Sequence, residues 1–144
     1  MTMSGRLGAL ALFALAISIA ACGGEGSELL TEGEVRKCLA DSRIVVRAPG
    51  APGAEAPEYA PHYLETAPDF TAYAKDGTGV DVVVQGSAER ARGTAAHVKG
   101  ALESLGDSFA AASNRVVRGL NVVAVFHRST SAANRGAVRA CLAA

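Results

Sequence analysis

From residue 30 onward the apolar positions fall into blocks whose spacing switches between helical and alternating. Leu30-Thr31-Glu32-Gly33-Glu34-Val35 has the form of a helix start. Thr31 is placed to cap the amide of Glu34, Glu34 to reach back to Thr31, and Leu30 with Val35 to close a hydrophobic staple. Val35, Cys38, Leu39 and Ser42 then share one face, which predicts a helix over 31–42. Arg43-Ile44-Val45-Val46-Arg47 is short and β-branched, a strand. All five prolines follow, between Pro49 and Pro68. Such a stretch continues neither a helix nor a central strand, so 48–68 is expected to be a surface loop. Tyr59, His62 and Tyr63 give that loop contact surface; it either binds something or is a variable insertion.

The second half repeats a hairpin-then-helix unit. Phe70-Thr71-Ala72-Tyr73-Ala74-Lys75 alternates, Asp76-Gly77-Thr78-Gly79 turns, and Val80-Asp81-Val82-Val83-Val84 returns. Ser87 caps a helix through Leu105 with Ala91, Ala95, Val98, Leu102 and Leu105 along one stripe, and Gly106 supplies its C′ position. Asn114–Arg118, Gly119-Leu120 and Asn121–Phe126 form a second hairpin. Ser131 or Ser129 caps a last helix carrying Val138, Cys141 and Leu142. The order α-β-ββ-α-ββ-α predicts an α+β fold: an antiparallel sheet of four to five strands with about three helices on one face.

The first 22 residues follow different rules. One positive charge, Arg6, precedes an uncharged run from Leu7 to Ala21. Fifteen helical residues span roughly 22 Å, short of a ~30 Å hydrocarbon core, so the run reads as a secretory leader and not a membrane span. It ends in Ile19-Ala20-Ala21-Cys22, a branched apolar residue, two small ones and a cysteine, which resembles the lipobox of bacterial lipoproteins. That resemblance implies a diacylglycerol thioether on Cys22 and cleavage just before it. It also implies that two or three acyl chains hold the protein on a membrane, since one alone is marginal. The alternative is an ordinary secreted protein cut after an alanine. On this reading 1–21 is a signal peptide, 22–29 a lipidated tether (Gly23-Gly24-Glu25-Gly26-Ser27 being flexible) and 30–144 a single α+β domain.

Composition narrows the core and the partners. With 49% hydrophobic residues but only 5% aromatic and no tryptophan, the core has to be built from Ala, Val and Leu. Fourteen basic residues balance fourteen acidic ones with no basic stripe, which gives nucleic-acid binding no electrostatic footing. Export would leave Cys38 and Cys141 in an oxidising compartment, where they are expected to pair and close a loop of about 100 residues. Two buried free thiols, or a redox pair without CxxC spacing, are the competing readings.

A catalytic set is hard to assemble from this chain. No GxSxG elbow is present, so Ser87 and Ser104 read as helix-cap or surface residues. His62, His97 and His127 are scattered across loop, helix and strand end with no metal-ligand spacing. Asp69, Asp76 and Asp81 flank the first hairpin and read as solvating its turn. Asp76-Gly77-Thr78-Gly79 lacks the lysine and following helix of a phosphate loop. Arg90, Arg92 and Lys99 lie off the apolar stripe as a solvated face, or one that meets anionic lipid or wall polymer. The sequence therefore predicts no catalytic, cofactor or metal residues. It predicts a membrane-anchored envelope lipoprotein on the outer face of the plasma membrane, or on the outer membrane of a cell that has one. The module is expected to be non-enzymatic, binding a protein or small ligand. A small envelope hydrolase or redox protein, and an accessory subunit that offers a sheet edge to a complex, are the alternatives.

Overall fold

The computed structural model describes residues 28–47 and 63–143. The leader 1–21, Cys22, the tether up to Ser27, and 48–62 of the proline-rich stretch with Tyr59 and His62 lie outside the described residues. Within them the chain runs α1 (Glu32–Asp41), β1 (Val45–Arg47), β2 (Phe70–Tyr73), β3 (Gly79–Val84), α2 (Ala88–Ser104), α3 (Phe109–Arg115), β4 (Val116–Arg118), β5 (Val122–Phe126) and α4 (Ala132–Leu142). The five strands form one antiparallel sheet in the order β1-β2-β3-β5-β4, so the fold is α+β as the sequence implies. None of the described helices is long and apolar enough to cross a membrane.

Local chemistry accounts for most boundaries. The Thr31–Glu34 capping box forms as expected, with Glu34 Oε2 accepting from the Thr31 amide at 2.7 Å. Ser87, Ser108 and Ser131 cap α2, α3 and α4 through their hydroxyls. Gly106 takes φ +105° after α2, and the amides of Gly106 and Asp107 close back on Glu103 and Leu102. The same left-handed position after α1 is held by Arg43, at φ 62°. Residues 42–44 are used in that turn, so β1 begins at Val45, two residues later than the β-branched run suggests.

Two features depart from the sequence reading. The helices divide between both faces of the sheet: α1 and α4 cover one side, α2 and α3 the other. Alternate residues of β3 and β5 feed two separate cores. Val80, Val82, Val122, Ala124 and Phe126 pack with α1 and α4, whereas Val83, Val123 and Val125 pack with α2 and α3. Every residue of β5 and all but Val84 of β3 are buried. Strands apolar on both sides need cover on both sides, and a nearly continuous apolar run is the sign of it. The second departure is α3 itself. Its sequence, FAAASNR, buries only Ala112 and leaves Phe109 73% exposed, so no apolar stripe announces it. Leu105, expected on the α2 stripe, falls at the C-cap and is exposed.

Cys38 on α1 and Cys141 on α4 form a disulfide, with Cα atoms 5.5 Å apart and a sequence separation of 103. It ties the first helix to the last on one face. Replacing both by alanine (Cys38→Ala with Cys141→Ala) should lower unfolding stability by about 2–5 kcal/mol. Urea titration of the variant, and of the wild type under reductant, should give the same displaced midpoint; an unmoved midpoint would show that packing alone holds the two helices.

Candidate functional site

Asp81 sits in the middle of the sheet, on central strand β3, and is fully buried. Its side chain shares the face of Val83, toward α2, and its partners are Tyr63, Thr71 of β2 and His127, the residue after β5. The Tyr63 hydroxyl donates to Oδ2 at 2.7 Å, the Thr71 hydroxyl donates to Oδ1 at 2.7 Å, and His127 Nε2 lies 3.1 Å from Oδ2. Nε2 is buried, and this carboxylate is the one polar group the described residues bring against it. Position 79 is glycine for a steric reason: a Cβ there would fall 2.2 Å from His127 Nδ1. The Arg115 guanidinium stands 5.8 Å from the centre of the Tyr63 ring, itself fixed by Asp107 at 2.8 Å and the Phe126 carbonyl at 2.9 Å.

The electrostatics follow from this enclosure. Burial pushes the Asp81 carboxyl upward, but the His127 imidazole and the two hydroxyls outweigh it and hold it below the ordinary aspartate range. The Tyr63 phenol moves far above its usual value, first because it is buried and then because it faces the Asp81 carboxylate. The cluster therefore keeps an ionised aspartate and a neutral tyrosine together inside the domain.

Tyr63 also fixes its neighbour. Leu64, Glu65 and Thr66 form one wall of a cleft of about 360 Å³, and Gln85 with Arg90, Gly93, Thr94, His97 and Val98 of α2 complete it. Its floor is apolar, from buried Leu64 and Val98. Gln85 Nε2 donates to Thr94 Oγ1 at 3.1 Å across its middle, and His97 Nδ1 lies 3.6 Å from Glu65 Oε1 at one end. On α2, Arg90, Gly93, Thr94 and His97 recur at helical spacing, which lines one face of the helix along two turns.

Against these two sites, the residues singled out in the sequence fare unequally. His97 and His127 lie in different clusters, each beside a carboxylate. Of the aspartates at the first hairpin, Asp76 serves its turn by accepting from the Thr78 amide at 2.9 Å, and Asp69 accepts from the Val84 amide at 2.6 Å. Asp81 does not solvate the turn; its strand is central and covered, so the side chain is enclosed. Tyr63, expected on a loop surface, is 1% exposed. Asn121, which the sequence marks only as the start of a strand, is 1% exposed: its amide spans Leu30, through both N–H and C=O, and the Gln85 carbonyl, each at 2.9 Å. A lone aspartate interrupting a valine run, and a tyrosine within the proline-rich stretch, are the signals the sequence offers for the buried cluster. No family model, curated protein or solved structure matches the chain. The site's chemistry must therefore be read from its own geometry.

Removing the phenol hydroxyl (Tyr63→Phe) strips a buried carboxylate of one donor and should cost about 1–3 kcal/mol at neutral pH. The pH dependence has two arms. Asp81, with a lowered folded pKa, contributes stability that is full above its unfolded value near ~4 and is lost as pH falls through the lower folded value. Tyr63, with a raised folded pKa, contributes stability that is full below about pH 10 and is lost as pH rises above it. Urea midpoints measured between about pH 7 and 11 should fall less steeply for Tyr63→Phe than for the wild type. Parallel curves would mean that Tyr63 ionises alike in the folded and unfolded chain.

Proposed function

We propose that this chain is an exported lipoprotein, held on a membrane through Cys22, whose α+β domain binds a ligand or partner without transforming it. The observation that carries the reading is the Cys38–Cys141 disulfide. Such bonds persist in oxidising compartments, where a leader ending in Ile19-Ala20-Ala21-Cys22 would deliver the domain. The cleft along α2 supports the binding half of the reading: it has an apolar floor, a few converging polar groups and a volume suited to a small molecule.

A small hydrolase is the second reading, and two observations favour it. His127 meets Asp81 with two hydroxyls nearby, and the cleft gathers His97 and Glu65 with Thr66 and Thr94. Geometry weighs against the first set. Both hydroxyls are given to Asp81, and the other imidazole nitrogen is packed against Gly79. In the second set the His97 and Glu65 side chains are 49% and 78% exposed and 3.6 Å apart, so the pair is open to water and held by no hydrogen bond. A docking role through the β4 edge has little backbone to work with, since that strand is three residues long.

In cells fed a clickable palmitate analogue, the wild-type chain should label and sediment with membranes, and Cys22→Ser should do neither. Wild-type protein found unlabelled in the cytosol with its leader attached would overturn the address. Purified protein should leave a panel of activated esters unhydrolysed above background; turnover abolished by His97→Ala or His127→Ala would establish the hydrolase instead.

A further inference from the structure

We infer that the cleft along α2 is a binding groove for a short extended peptide of two or three residues with both termini free. This rests on the reading of the domain as a binding module and names its ligand class. Charge sits at opposite ends of the groove. Arg90 lies in the first turn of α2, its own amide capped by the Ser87 hydroxyl, whereas Glu65 stands beside His97 two turns further along. Seven helical positions separate Arg90 from His97, about 10 Å at 1.5 Å per residue. Three residues of extended chain span about the same length at ~3.3–3.6 Å each. A carboxylate at the Arg90 end and an ammonium at the Glu65 end therefore suit a free tripeptide, and a dipeptide with some slack.

The middle of the groove matches a peptide bond. Because the Gln85 amide nitrogen donates to Thr94 Oγ1, the pair still presents the Gln85 amide oxygen as an acceptor and the Thr94 hydroxyl hydrogen as a donor. These are the complements of a backbone N–H and C=O. Leu64 and Val98 beneath them offer an apolar floor for small side chains. The wall is not a loose loop: Leu64 follows Tyr63, which is hydrogen-bonded to the buried Asp81, so the groove is shaped before a ligand arrives.

Gly93 gives a clean means of closing the groove. It lines the cleft, and a Cβ built on it meets nothing within 4 Å. Gly93→Ala should therefore fold at least as well as the wild type, while Gly93→Trp should fill the groove from a helix position with room for a side chain. The test is equilibrium dialysis of the full-length, membrane-extracted protein in detergent against labelled trialanine, N-acetyl-trialanine and trialanine amide. Circular dichroism is recorded on each variant. Trialanine should bind saturably to the wild type and to Gly93→Ala. Blocking either terminus should weaken binding about tenfold or more, the loss of one charged contact. Folded Gly93→Trp should not bind. Absence of saturable trialanine binding, equal binding of the blocked peptides, or binding unchanged in Gly93→Trp would each overturn the assignment. Should Gly93→Trp fail to fold, Arg90→Gln and Glu65→Gln decide the matter: each should erase the preference for one free terminus, and retention of both preferences would overturn it. None of these outcomes bears on the Cys22 address or the ester panel, so the binding-module reading is tested separately.

Discussion

Burial of the central strand pair on both sides is the constraint from which the rest of this structure follows. β3 and β5 carry almost nothing but valine, alanine and phenylalanine, and a sheet with two apolar faces is stable only between two layers. Small β-branched side chains make thin layers, so the helices that cover them pack closely, and Gly119 shows how closely. A Cβ at that position would meet the Leu142 carbonyl oxygen of α4 at 2.0 Å. The disulfide acts on one of these layers only: it joins α1 to α4 and leaves α2 and α3 to hold by packing.

Within so apolar an interior, each buried polar group is answered. Asn121 uses its amide to bind the segment entering α1 and the end of β3 to the turn of the second hairpin. Asp81 does the equivalent deeper in the sheet, holding Tyr63, Thr71 and His127 around one carboxylate. An unpaired carboxylate there would cost several kcal/mol, so the partners are a condition of the fold as well as a polar site. His127 Nε2, buried 3.1 Å from Oδ2, depends on that carboxylate alone.

The two clusters are mechanically related. Tyr63 anchors the chain as it returns from the proline-rich stretch, and the next three residues wall the groove. The end of β3 supplies both the Asn121 contact and Gln85 of the groove lining, so the groove opens at the end of the sheet where the chain enters α1. The exposed Leu105 and Phe109 lie beyond the far end of α2.

The sequence by itself determined most of the elements whose signal is local; α3, with its Ser108 cap, is the exception. The capping box at Thr31, the Asp76-Gly77 turn, the Ser87 and Ser131 caps and the left-handed Gly106 are encoded within a few neighbouring residues, and each forms where the pattern places it. The Cys38–Cys141 pairing was legible because only two cysteines fall within the domain. Tertiary structure alone decided what depends on distant partners. The side of the sheet each helix covers is fixed by packing that valine runs leave ambiguous. Whether Asp81 is a turn residue or a buried hub depends on Tyr63, 18 positions earlier, and His127, 46 later. The groove exists only because that anchor sets 64–66 against α2. Hydrogen-bond and steric rules act over a few ångströms, so they can be read along the chain only where sequence neighbours are also neighbours in space.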